Sequence, residues 1–232
     1  MHEQPQIVST KKLLPNQKQF LLNAGLSVIE ADFIKVQYKD VLISTDADYV
    51  IFTSSNAVKA ILKSADFPKL QQMPCFCVGE KTKNLLGQNG FDVLASADNA
   101  EVLVDKFKAH SDKKFLLLSG NLRLETIPRA LQEANINYEE VEVYSTTKTP
   151  IKIKSKPNGI LFFSPSAVES YLELNKINNA ICFCIGNTTA KAVNGLTENI
   201  VVANQPSVEN VIVQSIKHFK QASPFVSDTK QT

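Results

Sequence analysis

Five short segments concentrate the residues of this chain that could do chemistry: Thr53-Ser54-Ser55-Asn56, Gly79-Glu80-Lys81-Thr82, Ser119-Gly120-Asn121, Ser164-Pro165-Ser166 and Gly186-Asn187-Thr188-Thr189. Each follows an apolar run and leads into a helical pattern. Hydroxyls and glycines at such a turn offer backbone N–H groups, the positive end of a helix dipole and a rotatable donor. That is anion-binding chemistry, suited to carboxylates or phosphates.

Other chemistries are missing. There is no G-x-x-x-x-G-K-[ST] and no G-x-G-x-x-G after a strand, so the familiar nucleotide cradles are absent. His2, His110 and His218 lie outside the five segments, which leaves a Ser–His–Asp triad without support. No paired carboxylates stand at strand ends, against glycosidase-type work and against a divalent metal. The four cysteines form two Cys-x-Cys pairs, Cys75 with Cys77 and Cys182 with Cys184, inside apolar runs. Zinc ribbons prefer two intervening residues and polar knuckles, so these read as reduced core thiols. The proton donor of most interest is Tyr144, at the end of the alternating stretch Val141-Glu142-Val143. A phenol is protonated at neutral pH and can act as a general acid.

The elements that must position these groups alternate strand and helix. Residues 50–53, 75–78, 115–118, 160–163 and 182–185 are short continuous apolar runs, as expected of strands buried on both faces. Ser54 or Ser55, and Ser164, stand at N-cap positions, with Pro165 at the first helical position. Gly90 and Gly195 read as helix stops. Two stretches differ, residues 28–36 and 138–144. They carry charges at period two and read as strands leading into interdomain connections.

The chain also repeats itself. Residues 51–58 match 161–168, Cys75-Phe76-Cys77-Val78-Gly79 matches Cys182-Phe183-Cys184-Ile185-Gly186, and Leu117-Leu118-Ser119 is like Ile7-Val8-Ser9. Repeats this far apart are domain-sized. The expected organisation is one discontinuous lobe from residues 1–36 and 150–220, a second lobe from 37–149, and a disordered polar tail at 221–232. An anionic ligand held between the two lobes is the collective reading of the five turns.

Composition sets the outer bounds. The 232 residues are 44% apolar, enough for a globular core, and no stretch approaches the ~20 apolar residues of a membrane span. No apolar leader opens the chain, so a cytoplasmic protein is expected. A formal charge of +2, with Lys148, Lys152, Lys154 and Lys156 the nearest thing to a basic stripe, argues against nucleic acid as a partner.

In order and spacing, the segments resemble the uroporphyrinogen-III synthase family. The residues carrying the likeness are Phe52-Thr53-Ser54-Ser55-Asn56-Ala57-Val58, Val78-Gly79 with Thr82, Leu118-Ser119-Gly120-Asn121 with Arg123, Val143-Tyr144, Phe163-Ser164-Pro165-Ser166-Ala167-Val168, and Ile185-Gly186 with Thr188-Thr189-Ala190. One departure is Ser9-Thr10-Lys11-Lys12, where many members have an arginine after the first strand; lysine supplies charge without a bidentate fork.

The resemblance implies an α/β fold of two similar flavodoxin-like lobes with parallel sheets, joined by a two-stranded connector. It implies a monomer without cofactor or metal that cyclises hydroxymethylbilane to uroporphyrinogen III, inverting ring D and losing water. Tyr144 would be its acid. Ser54, Ser55, Asn56, Gly79, Thr82, Gly120, Asn121, Arg123, Ser164, Ser166, Ala167, Gly186, Thr188 and Thr189 would bind substrate. Two other readings are a non-catalytic two-lobe module for a small anion, and a phosphate-handling regulator, which would want an acidic cluster where Ser9-Thr10-Lys11 stands.

Overall fold

The structure, a computed structural model, describes residues 4–43 and 45–222. The chain opens with β1 (Gln6–Ser9), α1 (Pro15–Asn23), β2 (Ser27–Glu30) and β3 (Ile34–Tyr38). Then follow β4 (Tyr49–Phe52), α2 (Ser55–Ile61), α3 (Phe67–Gln71), β5 (Cys75–Val78), α4 (Glu80–Gln88), β6 (Val93–Ala97), α5 (Ala100–Phe107), β7 (Phe115–Gly120), α6 (Thr126–Glu133) and β8 (Tyr138–Lys148). It closes with β9 (Gly159–Phe162), α7 (Pro165–Leu174), β10 (Ile181–Cys184), α8 (Asn187–Val193), β11 (Ile200–Val202) and α9 (Val208–Ala222).

These elements divide into two compact units. One takes the chain up to Lys35 and again from Thr147; the other is the continuous stretch Val36–Thr146. The first has the sheet order β11-β10-β9-β1-β2, the second β3-β8-β7-β4-β5-β6. Pairings within β1, β2, β9, β10 and β11, and within β4 to β8, are parallel. With β3 set aside, the two sheets share one order, β8-β7-β4-β5-β6 corresponding to β2-β1-β9-β10-β11. This is the flavodoxin-like order. The sequence repeat has its physical basis here: β4 and β9 are equivalent, as are β5 and β10, and β7 and β1. The two copies differ in where the chain enters the sheet.

Strands covered on both faces need apolar residues at every position. In β4 and β7, Val50, Phe52, Leu116 and Leu118 pack against α2 and α4 side chains, including Val58, Ile61 and Leu86. Ile51, Phe115 and Leu117 face the other way, onto Leu103, Phe107, Ile127 and Leu131. The first unit repeats this with Val8, Ile160 and Phe162 on one face, and Ile7, Leu161 and Phe183 on the other. Cys75, Cys77, Cys182 and Cys184 are free and buried in these faces. Burial pushes the thiols of Cys75, Cys182 and Cys184 up to about 12 and that of Cys77 to about 11.

Residues 28–36, expected as one strand, are two. The alternation breaks at Asp32-Phe33: Asp32 Oδ1 accepts from the Lys12 N–H at 2.8 Å, and Phe33 is fully buried, its ring 5.4 Å from that of Tyr171. One large apolar side chain turned into the core outweighs the period-two pattern. Lys148 forms ion pairs with Glu169 and Glu173. Of the tail expected at 221–232, residues 221 and 222 end α9 and the rest lies outside the described residues. Among the described residues no helix is long and apolar enough to cross a membrane, and no cluster of three potential metal ligands occurs.

Candidate functional site

In open parallel sheets the natural ligand position lies beyond the carboxyl ends of the strands, where the chain order reverses. In the Val36–Thr146 unit the chain runs from β4 outward to β5 and β6, then returns to β7 on the other side of β4. Phe52 pairs with both Leu118 and Cys77. Two residues further along, Ser54, Gly120 and Gly79 therefore end neighbouring strands in one row. In the other unit the reversal falls between β1 and β9, where Ser9 pairs with Leu161 and the Thr10 hydroxyl donates to the Leu161 carbonyl at 2.7 Å. Lys11 Nζ stands 5.8 Å from the centre of the Phe163 ring beside that reversal.

Tyr144 is set into the row by an irregular register. Ser119 pairs with Glu142 and the next residue, Gly120, pairs with Tyr144, so Val143 is an extra residue in β8. Strict alternation would put Tyr144 on the side of Glu142. A bulge lets two consecutive side chains share a face, and Val143 and Tyr144 both pack on the core cluster of β4, β7 and α2. A Cβ on Gly120 would lie within 3.0 Å of three carbons of the Tyr144 ring. The phenol ring thus occupies side-chain space that residue 120 leaves empty. Among the described residues the hydroxyls of Tyr49 and Tyr138 have partners, His110 and Gln132, whereas those of Tyr38, Tyr144 and Tyr171 make no hydrogen bond.

The turn after β7 grips β8 on either side of Tyr144. Arg123 holds Glu140 through Nε and, at 2.9 Å, through the second guanidinium nitrogen, and also pairs with Glu125 at 2.6 Å. Burial pushes the Glu140 carboxyl up, but hydrogen bonds from Arg123 and Ser119 and the Arg123 charge together leave it below its ordinary value. Arg123, expected to bind substrate, is thus already engaged by two carboxylates. Asn121, also expected there, has its amide engaged by the Thr146 backbone in both directions.

The helix N-termini fall into two kinds. Ser54 and Ser164 have extended backbones and cap α2 and α7, accepting from the N–H groups of Asn56 at 3.1 Å and Ala167 at 3.2 Å. Ser166 lies 3.1 Å from the Ser164 hydroxyl, and Ala167 turns its methyl into the core. Ser55 opens α2, half-buried. Gly79 and Gly186 instead precede α4 and α8 with no capping side chain, and in α4 the Thr82 N–H turns back onto the Gly79 carbonyl at 3.0 Å. Gly79 has φ of +84°, a conformation that other residues adopt only under strain. Thr188 is exposed, whereas Thr82 and Thr189 are 4% and 2% exposed, each on the buried stripe of its helix with Leu86 or Val193 four residues on. His110 and His218 pack against aromatic rings. Glu140 and Thr146 also belong to this arrangement; the acidic residues at 139, 140 and 142 are the one sequence sign of Glu140, and Thr146, which takes part through its backbone, has none.

Comparison with known proteins follows the same line. A family model described as uroporphyrinogen-III synthase HemD matches residues 18–212. A curated relative named uroporphyrinogen-III synthase, from Chlorobaculum parvum, is 24% identical over 196 residues, covering 72% of this chain and 79% of the relative. The crystal structure of uroporphyrinogen-III synthetase from Helicobacter pylori superposes with a TM-score of 0.66 at 20% identity, covering 92% of this chain and 99% of that one. A mutant uroporphyrinogen III synthase from Thermus thermophilus gives 0.70 at 13% identity, covering 94% and 100%. The two structural likenesses are likenesses of fold.

Proposed function

Because the chain belongs to the uroporphyrinogen-III synthase family, we propose that it closes hydroxymethylbilane into uroporphyrinogen III, with ring D inverted and one water lost, as a cyclising hydro-lyase. The Tyr144 phenol gives its proton to the departing hydroxyl. The C–O bond breaks, and water leaves an azafulvene-type cation on ring A. The substituted carbon of ring D attacks that cation, the spiro intermediate reopens and recloses, and loss of a proton restores the pyrrole. Solvent returns a proton to the phenolate. Free in water, the same flexible chain closes without inversion, so the protein's main task is positional; well-oriented intramolecular reactions reach effective molarities of ~10⁵–10⁸ M.

In this reading the substrate carboxylates meet the helix N-termini after Gly79 and Gly186, the exposed Thr188, and the hydroxyls of Ser54, Ser55, Ser164 and Ser166, with Asn56 beside them; Thr82 and Thr189 are buried and support these turns from beneath. Anions are stabilised where helix N-terminal N–H groups and the positive end of the helix dipole coincide. The single observation that carries the reading is the Tyr144 phenol. It lies at the carboxyl end of its sheet, beside a glycine that makes room for it, with a hydroxyl that no described residue engages. The proposal includes a monomer in the cytoplasm; four free, buried cysteines speak for the reducing compartment. The test is to incubate purified protein with hydroxymethylbilane and separate the product isomers. A shift from the spontaneous isomer to the III isomer is expected; an unchanged ratio would remove the function.

A further inference from the structure

We propose that Asn121 is a positioning residue for Tyr144, forming with Arg123 a staple that fixes β8 on both sides of the phenol. The inference rests on the ring-closing reading above, since it concerns the acid of that reaction.

An acid whose hydroxyl has no partner among the described residues is aimed by its backbone and by the packing of its ring. β8 is held along one edge by β3, the Lys39 N–H donating to the Val143 carbonyl at 2.9 Å. On its β7 edge it needs such support, because the bulge at Val143 interrupts the β7–β8 ladder where Tyr144 departs from alternation. β7 ends at Gly120, and the chain turns away there, the Arg123 N–H donating to the Gly120 carbonyl at 3.1 Å. No β7 backbone remains to pair with the strand beyond Tyr144. The Asn121 side chain takes its place. Its Nδ2 donates to the Thr146 carbonyl at 3.1 Å, and its Oδ1 accepts from the Thr146 N–H at 2.7 Å. A carboxamide carries the donor and acceptor of a peptide group, so Asn121 lengthens the ladder past the bulge. On the near side, Arg123 forks onto Glu140. Thr146 is also the last residue of its unit. The tie therefore sits where β8 leaves that unit, and it isolates the five intervening residues, Tyr144 among them, from whatever pulls on the chain beyond.

The experiment uses the full chain with Asn121→Ala and Asn121→Asp, each alone and combined with Tyr144→Phe, assayed on hydroxymethylbilane with isomer separation. Removing the staple is expected to lower kcat for the III isomer roughly tenfold to a hundredfold, since ångström-scale misplacement costs on that order, with KM unchanged. In the Tyr144→Phe background Asn121→Ala should cost less than twofold more, because both act through one group. Asn121→Asp keeps the acceptor for the Thr146 N–H and should recover part of the loss. A second readout does not need activity: 3-fluorotyrosine at position 144 should show a shifted or broadened fluorine resonance in Asn121→Ala. A raised KM at unchanged kcat, losses that multiply across the two sites, or an unmoved resonance would each overturn the proposal. If the parent makes no III isomer, the ring-closing reading fails, and the fluorine signal still decides whether Asn121 holds the phenol.

Discussion

Gly120 and Tyr144 face each other across neighbouring parallel strands, and the phenol ring fills the volume that a side chain on residue 120 would need. Gly120 is not among the glycines with positive φ, so the requirement is for space and not for conformation. Gly120→Ala is expected to destabilise the protein by ~1–3 kcal/mol, the usual range for overpacking, and to lower the rate of III-isomer formation roughly a hundredfold by displacing the ring. Thermal unfolding and steady-state kinetics on the same preparation test this; an unchanged rate would mean that the ring position does not matter.

Tyr144→Phe removes a hydroxyl and leaves the ring. With no described partner to lose, stability should stay within ~0.5 kcal/mol of the parent, while III-isomer formation should fall by ~10²–10⁴-fold. Denaturant unfolding paired with the isomer assay separates the two effects. Activity within twofold of the parent would strike Tyr144 from the mechanism.

Ser164 has a structural task, the cap of α7, as well as a proposed binding one. Ser164→Ala should cost about 1 kcal/mol through the lost cap. Ser164→Asp can cap and suits the helix dipole, so stability is retained. Its negative charge would meet the substrate's carboxylates, so KM should rise several-fold while kcat holds. A variant as active as the parent at low substrate would place Ser164 away from the carboxylates.

The Glu140 carboxyl is held below its ordinary value, so its contribution has a defined pH window. Above the ordinary value of 4.5 that contribution is fully present; it is lost as pH falls through the lower, folded value. In Arg123→Gln the two hydrogen bonds to Glu140 and the neighbouring charge go, leaving burial opposed only by the Ser119 hydrogen bond, so the carboxyl rises relative to the parent. The variant should therefore be less stable than the parent at pH 7, with a deficit that narrows as the pH is lowered below 4.5. Urea unfolding across that range checks this, and a constant deficit would contradict it.

The fold was legible where local physics dominates. Apolar runs such as Tyr49–Phe52 and Gly159–Phe162 mark strands buried on both faces, and Ser54 and Ser164 mark helix starts because a hydroxyl there satisfies an orphan N–H. What local patterns hide is long-range. The split between β2 and β3 is set by where the Phe33 ring packs, against Tyr171. The face Tyr144 occupies depends on a bulge that no period reveals. The commitment of Arg123 to Glu140 joins a turn to the next strand over, and charge spacing along either segment alone does not announce it. Thr82 and Thr189 look like rim hydroxyls until the buried stripes they share with Leu86 and Val193 are counted.

The Val36–Thr146 unit interrupts the other in the chain, and this has a consequence for assembly. During synthesis β1 is made early, but its partner β9 does not begin until Gly159, so one edge of β1 waits. Bringing those strands together across an unstructured stretch would close a loop on the order of a hundred residues. Once the inserted unit is complete, however, β3 lies beside β8, and the Lys39 N–H donates to the Val143 carbonyl at 2.9 Å. The two ends of the insert then emerge side by side, and what remains to be closed is a few tens of residues. Folded first, the middle of the chain would act as a clasp that hands its outer neighbours to each other.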